Sequence, residues 1–204
     1  MVPERSGRVA GVLLAAGSSS RLGTNKLLIE LGMETVVRRA ARQTVEAGLS
    51  PVIVVTGFEA DRVAAALEGL PLEVIENQDY ALGIHASLQA GIAAVPDDCA
   101  AAVVVLADMP LVTSAMLAAL VARFRAGAEP LVASRYGEVQ APPTLYSRAL
   151  FPALGPRGEG SGRRVIQRHR AEAAQLQWSP ELLADLDRPE DLARLRAIVA
   201  RSAS

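Results

Sequence analysis

The chain has 204 residues, half of them hydrophobic, a formal net charge of −1 and a single cysteine. That length fits about one domain with a sizeable core. The near-neutral charge argues against a dedicated nucleic-acid or membrane surface, the lone Cys99 excludes an internal disulfide, and no apolar run is long enough to span a membrane. A cytoplasmic enzyme or binding domain is the expectation.

In chain order, RVAGVLLA (residues 8–15) reads as a buried parallel strand. Arg5 and Arg8 ahead of a short apolar run, with the small residues Ala15, Ala16 and Gly17 behind it, also sketch a secretory signal. Gly11 and the shortness of the run speak against that reading. ETVVRRAARQTVEAG (34–48) predicts a helix capped by Thr35 and stopped by Gly48, with Val37, Ala41 and Thr44 on one face. PVIVVTG (51–57) is a second apolar strand, EADRVAAALEGL (59–70) a short helix, and PLEVIEN (71–77) a third strand. IHASLQAGIAAV (84–95) reads as a helix. AAVVVLAD (101–108) is apolar along its length and is expected at the centre of the sheet. SAMLAALVARFRAG (114–127) puts Leu117, Leu120, Val121 and Phe124 on one helix face, and PLVASR (130–135) is a further strand.

Residues 137–164, rich in Pro, Gly and Arg, read as interrupted surface structure where binding groups reside. A terminal helix carrying Leu192, Leu195 and Val199 follows, its start marked by Asp187 and Pro189. The alternation predicts an α/β fold: a three-layer, doubly wound, mostly parallel sheet in a single domain. Ligands of such sheets sit at the carboxyl ends of the strands. Two places are thereby marked, the loop after Leu14 and Asp108.

The first of these loops has a chemistry of its own. Gly17 and Gly23 permit unusual backbone angles, Ser18, Ser19 and Ser20 offer hydroxyls and unobstructed N–H groups, and Arg21 and Lys26 add two positive charges. Backbone donors with fixed cations at a strand end suit a polyphosphate. The spacing matches neither the Walker pattern nor the dinucleotide fingerprint. Asp108, held by Pro110, is a hard oxygen ligand suited to Mg²⁺. Asp185 and Asp187 alternate in an extended stretch; either could be a second ligand, with Asp187 preferred although it is also a credible helix cap. No nucleophile–base pair stands out.

LLAAGSSSRLGTNK (13–26) resembles the signature of the α/β nucleotidyltransferases that activate sugars, isoprenoid alcohols and molybdopterin. The likeness continues through GIHASLQAGI, VVVLADMPLV, APPTLYSRALFP, GEGSGRRVIQRH and DLDRPEDLARLR, and so covers nearly the whole chain. Molybdenum cofactor cytidylyltransferases are the most similar subgroup, because Ala15-Ala16-Gly17 matches their Ala-Ala-Gly where the guanylyl branch has Ala-Gly-Gly. The resemblance implies a Rossmann-like nucleotidyltransferase fold over residues 1–204. Residues 1–110 would form the NTP-binding half, and residues 111–204 the acceptor-binding half with the C-terminal helix. It implies Arg21, Lys26 and Asp108 as catalytic residues and Asp108 with Asp187 as Mg²⁺ ligands. Leu14, Ala15, Ala16, Gly17, Ser18 and Ser19 would contact the nucleotide, Gly83 and Ser87 would line its base and ribose, and Arg135, Arg163 and Arg164 would receive the acceptor. His85 is a ribose contact or a surface histidine, and His169 is solvated. The Ala16 methyl is expected to favour a pyrimidine base.

The implied reaction joins CTP, or another NTP, to a molybdopterin-type acceptor and releases pyrophosphate. A molybdoenzyme or its chaperone would receive the product, and the chain would be a monomer or weak dimer with no nucleic-acid or membrane partner. Leu22, Glu159 and Ser161 depart from the family pattern, the last two in the acceptor half. The alternatives are guanylyl transfer, transfer to another small phosphorylated acceptor, and a non-catalytic nucleotide-binding chaperone. A glycosyltransferase would need Asp-x-Asp after the central strand, which ADMP lacks.

Overall fold

The computed structural model describes residues 6–17, 24–155, 161–184, 191, 192, 195, 196 and 198. Strand β1 (Arg8–Ala15) organises the rest because both of its faces are apolar. Val9, Leu13 and Ala15 enter one core while Ala10, Val12 and Leu14 enter the other. A two-stranded hairpin follows, β2 (Glu30–Leu31) with β3 (Glu34–Thr35). Next come α1 (Val36–Glu46), β4 (Val52–Thr56), α2 (Ala60–Ala66), β5 (Glu73–Glu76), α3 (Ile84–Ala93), β6 (Cys99–Leu106) and α4 (Ser114–Ala126). The chain continues through β7 (Leu131–Tyr136), β8 (Val139–Ser147), α5 (Phe151–Leu154), α6 (Gly162–Arg168) and β9 (Ala173–Trp178). Leu192 and Leu195 are helical, and Leu195 is fully buried.

The seven-stranded sheet runs β5-β4-β1-β6-β8-β7-β9. β1 pairs in parallel with β4 and β6, β4 with β5, and β7 with β9; β8 alone runs against its neighbours. The fold is thus the expected mostly parallel α/β sheet with a core on each face. One core takes Val36, Val37, Ala40 and Ala41 from α1 and Met116, Leu117, Leu120 and Phe124 from α4. The other takes Leu88 and Ile92 from α3, Phe151 and Leu154 from α5, and Val165 from α6. Thr35 and Thr113 cap α1 and α4 by accepting from the N–H groups of Arg38 and Met116.

Residues 137–164 correct the sequence reading. β8 is an interior strand rather than surface, and Thr144 to Ser147 are buried in it. Pro142 and Pro143 hide it from pattern reading, because neither can donate to a ladder. The sheet accommodates them by pairing around them. β8 meets β6 only from Thr144 to Ser147, and its register with β7 shifts between Ala133 and Arg135. β9 also escapes sequence reading; it is a short edge strand of mixed polarity beside β7.

α3 lies close on the sheet because Gly91 has no side chain. A Cβ there would stand 2.4 Å from Val12 Cγ1 and 3.0 Å from Val55 Cγ2. Gly91→Ala therefore pits roughly 1 kcal/mol of helix propensity against overpacking of about 1–3 kcal/mol on stiff β-branched neighbours. We expect a net loss of stability in urea unfolding. A variant as stable as the parent would mean that α3 is free to shift.

Candidate functional site

The carboxyl ends of β1 and β6 lie side by side, with Leu14 opposite Leu106, and the Ala107 N–H donates to the Leu14 carbonyl at 3.1 Å. Past these ends the chain turns twice toward the same point. After β1 it passes Ala16 and Gly17 and returns at Asn25, a buried residue whose side chain caps the short 3₁₀ turn Lys26–Leu28 by accepting from the Leu27 N–H. After β6 it reaches Asp108. Lys26 Nζ and Asp108 Oδ2 are 2.6 Å apart, with the two side chains 16% and 26% exposed. Two charges this poorly hydrated are tenable because each neutralises the other.

The Asp108 loop is fastened from behind. Met109, Leu111 and Val112 are buried. Arg39 Nε donates to the Pro110 carbonyl at 3.0 Å, and Gln43 Oε1 accepts from the Ser114 N–H at 2.6 Å. Both side chains come from α1, so one helix grips the loop at two points. Arg39 is itself held by Glu34, which also accepts from Arg42 at 2.7 and 3.1 Å. The hydrogen bonds from Arg42, reinforced by Arg39, hold the Glu34 carboxyl below its usual range against the opposing effect of burial.

A cleft of about 310 Å³ opens in front of the ion pair. Leu14, Ala16, Gly17, Lys26, Leu27, Tyr80, Ala81, Gly83, Ile84, Ser87, Leu106 and Asp108 line it. Gly83 takes φ +106°, which starts α3 at the cleft wall. Ser87 is held by the Asn77 side-chain amide at 3.1 Å. A second chamber, about 620 Å³, shares Leu14, Ile84 and Leu106 with the first, and α3, β8 and α6 complete its walls.

Several residues singled out in the sequence thus come together: Leu14, Ala16, Gly17, Gly83, Ser87, Lys26 and Asp108 in the cleft, Arg163 and His85 in the chamber. Ala15 is buried in the sheet and lines neither cavity. Arg135 does not reach them either; its guanidinium donates to the Gly137 and Glu138 carbonyls and to the Glu138 carboxylate. Arg164 is exposed on α6 outside both linings. Ser18, Ser19, Ser20, Arg21, Asp185 and Asp187 lie outside the described residues. Sequence reading missed Tyr80, Ile84, Tyr146 and Arg39. An aromatic side chain just before a Gly-started helix was the only local hint of Tyr80.

Among the described residues no three His, Cys, Asp or Glu side chains gather to hold a metal. Asp108 is the one carboxylate on the described cleft walls. A single hard oxygen donor fits Mg²⁺-like ions bound through one or two carboxylates with substrate phosphates completing the shell. No helix among the described residues is long and apolar enough to cross a membrane.

A cleft at the carboxyl ends of parallel strands is where α/β domains bind their ligands. The chain belongs to the family of the MobA-like NTP transferase domain, whose model matches residues 11–174. It is 31% identical over 196 residues to a probable molybdenum cofactor guanylyltransferase of Opitutus terrae, covering 92% of this chain and 95% of that protein. It is 32% identical over 171 residues to the bifunctional protein GlmU of Kineococcus radiotolerans, covering 82% of this chain. The match takes in only 33% of that longer protein. Among solved structures, a manganese complex of Rv0371C from Mycobacterium tuberculosis superposes with a TM-score of 0.75 at 26% identity, covering 95% of this chain and all of that one.

The Glu34 carboxyl generates a pH test. A folded-state value below the unfolded one, ordinarily 4.5, gives stability that is present above that value and lost as pH falls through the lowered one. Glu34→Gln is expected to make the protein less stable at neutral pH and to flatten the acid limb of the stability–pH curve. Parallel acid limbs in urea melts of the two proteins would show that Glu34 adds nothing there.

Proposed function

We propose that the chain is a divalent-metal-dependent nucleotidyltransferase that moves CMP from CTP to a molybdopterin-type acceptor. The observation that carries the reading is the Lys26–Asp108 pair at the joined ends of β1 and β6, lining a cleft that shares Leu14, Ile84 and Leu106 with a second chamber. One cavity meets the charged pair and suits a triphosphate; its neighbour suits the molecule that attacks it. Residues 1–110 would hold the nucleotide, and residues 111–204 would supply the β8 and α6 walls for the acceptor. The family membership and the Opitutus relative support both the reaction class and the acceptor.

An oxygen of the acceptor phosphate forms a new bond to the α-phosphorus. The bond from that phosphorus to the bridging oxygen breaks, and pyrophosphate leaves with its electron pair. The attacking oxygen is already anionic, so no general base is needed. Catalysis is then positioning and charge neutralisation. Lys26 would bind and orient the phosphates, with Arg21 proposed to assist. Asp108 would hold a divalent ion, with Asp187 or Asp185 as the second proposed ligand, and Ser18 and Ser19 would contact the phosphates. When bound, the ion would spread the charge of the phosphate oxygens. α1, through Arg39 and Gln43, keeps Asp108 aimed. The manganese complex of the Mycobacterium tuberculosis neighbour supports a divalent ion in a chain of this shape. A molybdoenzyme or its chaperone would take the product.

Base choice would be made at Ala16 and Tyr80. Both line the cleft and both stand over Gly57, where an added Cβ would meet Ala16 Cβ at 2.9 Å and Tyr80 Cβ at 2.5 Å. The Ala16 methyl would narrow the cleft wall relative to a glycine, which favours the smaller pyrimidine. The Opitutus relative supports guanylyl transfer as the second reading.

The decisive experiment supplies each NTP with Mg²⁺ and molybdopterin and follows pyrophosphate. CTP should give the highest kcat/KM; GTP preference would move the chain to the guanylyl reading, and no release with any NTP would leave a binding protein. Asp108→Ala should lower kcat by at least about a hundredfold, the loss of several kcal/mol of charge stabilisation; the protein still folds, with a lower thermal midpoint because Lys26 loses the charge that neutralises it. Activity above about a tenth of the parent, less than 1.4 kcal/mol, would remove Asp108 from that role.

Tyr80→Ala should weaken NTP binding by about tenfold, within the 1–3 kcal/mol typical of a base stacked on an aromatic ring. Titration calorimetry would read it. Unaltered affinity would place the base elsewhere.

A further inference from the structure

Asn77 follows β5 and is buried, 7% exposed, yet it does not line the cleft. Its backbone is tied at both ends. The Asn77 N–H donates to the Thr56 carbonyl at 2.9 Å, and the Asn77 carbonyl accepts from the Tyr80 N–H at 3.3 Å. Its side-chain carbonyl oxygen accepts from the Asp79 N–H at 3.1 Å. That last bond determines which way the amide faces. A backbone N–H can only donate, so the atom opposite it is Oδ1 and the other end of the amide is the Nδ2 donor.

Asn77 Nδ2 stands 3.1 Å from the Ser87 oxygen, and Ser87 is 3% exposed. Toward Asn77 the Ser87 hydroxyl is therefore an acceptor, and its proton points elsewhere. A serine in a helix can turn that proton back to a carbonyl of the preceding turn. Here no described residue accepts it. Ser87 lies in the first turn of α3 and lines the cleft. A buried hydroxyl with an engaged lone pair and a proton without a protein acceptor is an oriented donor. It stays unsatisfied until a ligand brings an acceptor to it.

We propose that Asn77 is a positioning residue that keeps the Ser87 hydroxyl a donor toward the cleft, and that this polarity helps to choose the base. A base edge made of acceptors is bound, and an edge that offers a proton at the same place is refused. The proposal rests on the nucleotidyl-transfer reading, which puts the base of the NTP in this cleft. Cytosine presents a bare ring nitrogen beside a carbonyl, two acceptors together. Uracil has the same size but carries a proton on that nitrogen. The Ala16 methyl cannot tell these two bases apart by size, whereas hydrogen-bond polarity can. Through its carbonyl, Asn77 also holds the turn that carries Tyr80, so one buried amide residue ties two walls of the cleft together.

The test titrates the full chain calorimetrically with CTP and with UTP, each with Mg²⁺ and without an acceptor. CTP should bind at least about tenfold more tightly, because uracil leaves the buried donor unpaired. Asn77→Asp, studied at about pH 8 where a carboxylate is ionised, keeps an acceptor for the Asp79 N–H but takes the Ser87 proton to itself. Ser87 then shows only lone pairs to the cleft, and the preference should vanish or invert. Ser87→Ala should also erase it, and adding Asn77→Asp to Ser87→Ala should change the ratio no further. A residue that only supports the fold would lower the melting point and both affinities together, with the ratio intact. Thermal melting reports whether each variant folds. Asn77→Ala, which frees the Ser87 hydroxyl to turn either way, carries the test if the aspartate variant does not, and should erode the preference. Equal affinities in the parent, a ratio unchanged in a folded Asn77 variant, or an Asn77 effect on the ratio that persists without Ser87 overturns the proposal alone. A parent that binds neither nucleotide overturns the nucleotidyl-transfer reading and the proposal with it.

Discussion

Two opposite charges, Lys26 and Asp108, meet at 2.6 Å where β1 and β6 end, and much of the surrounding architecture keeps them there. Neither could be held so poorly hydrated alone. Their encounter needs two adjacent parallel strands, because only then do consecutive crossovers deliver their loops to the same edge. It also needs those loops to be stiff. The capped 3₁₀ turn does this for Lys26, and the buried Met109, Leu111 and Val112 do it for Asp108. α1 braces the second loop by hydrogen bonds and packs beneath the first, with the Val36 N–H donating to the Ile29 carbonyl. Through Glu34, Arg39 and Arg42, a charged network outside the cleft thus reaches the loop that carries Asp108.

The parts legible in the sequence are those whose signal is local. β1, β4 and β6 are unbroken apolar runs because helices cover both of their faces, and Thr35 and Thr113 announce their helices by capping chemistry. The rule that ligands gather at the carboxyl ends of parallel strands was enough to bring Lys26 and Asp108 to one place. What the sequence conceals depends on distant partners. Arg39 looks like any arginine on an amphipathic helix, and its partner Pro110 is 71 residues away. Arg135 looks like a ligand-binding cation, yet the turn that follows it supplies its acceptors. β8 was hidden by Pro142 and Pro143, and only the structure shows that the sheet never asks those residues to donate.

That concealed strand shapes the half of the site that pattern reading took for interrupted surface structure. In a wholly parallel sheet the ligand edge receives only loops that lead into helices. Reversing β8 brings the β7–β8 hairpin to the same edge instead, with Tyr136 opposite Val139 at its tip. Because β8 meets β6 only from Thr144 onward, the stretch from Val139 to Pro142 lies beyond the β6 pairing, with Val139 and Gln140 paired to β7 alone, and forms a wall of the chamber. α3 and α6 flank the gap without filling it, and apolar sheet that would otherwise be core faces the cavity. The charged and apolar ends of the site therefore have separate structural origins. One comes from parallel strand ends, and the other from a single antiparallel strand. Substitutions in the β7–β8 hairpin can therefore reshape the apolar chamber without moving Lys26 or Asp108.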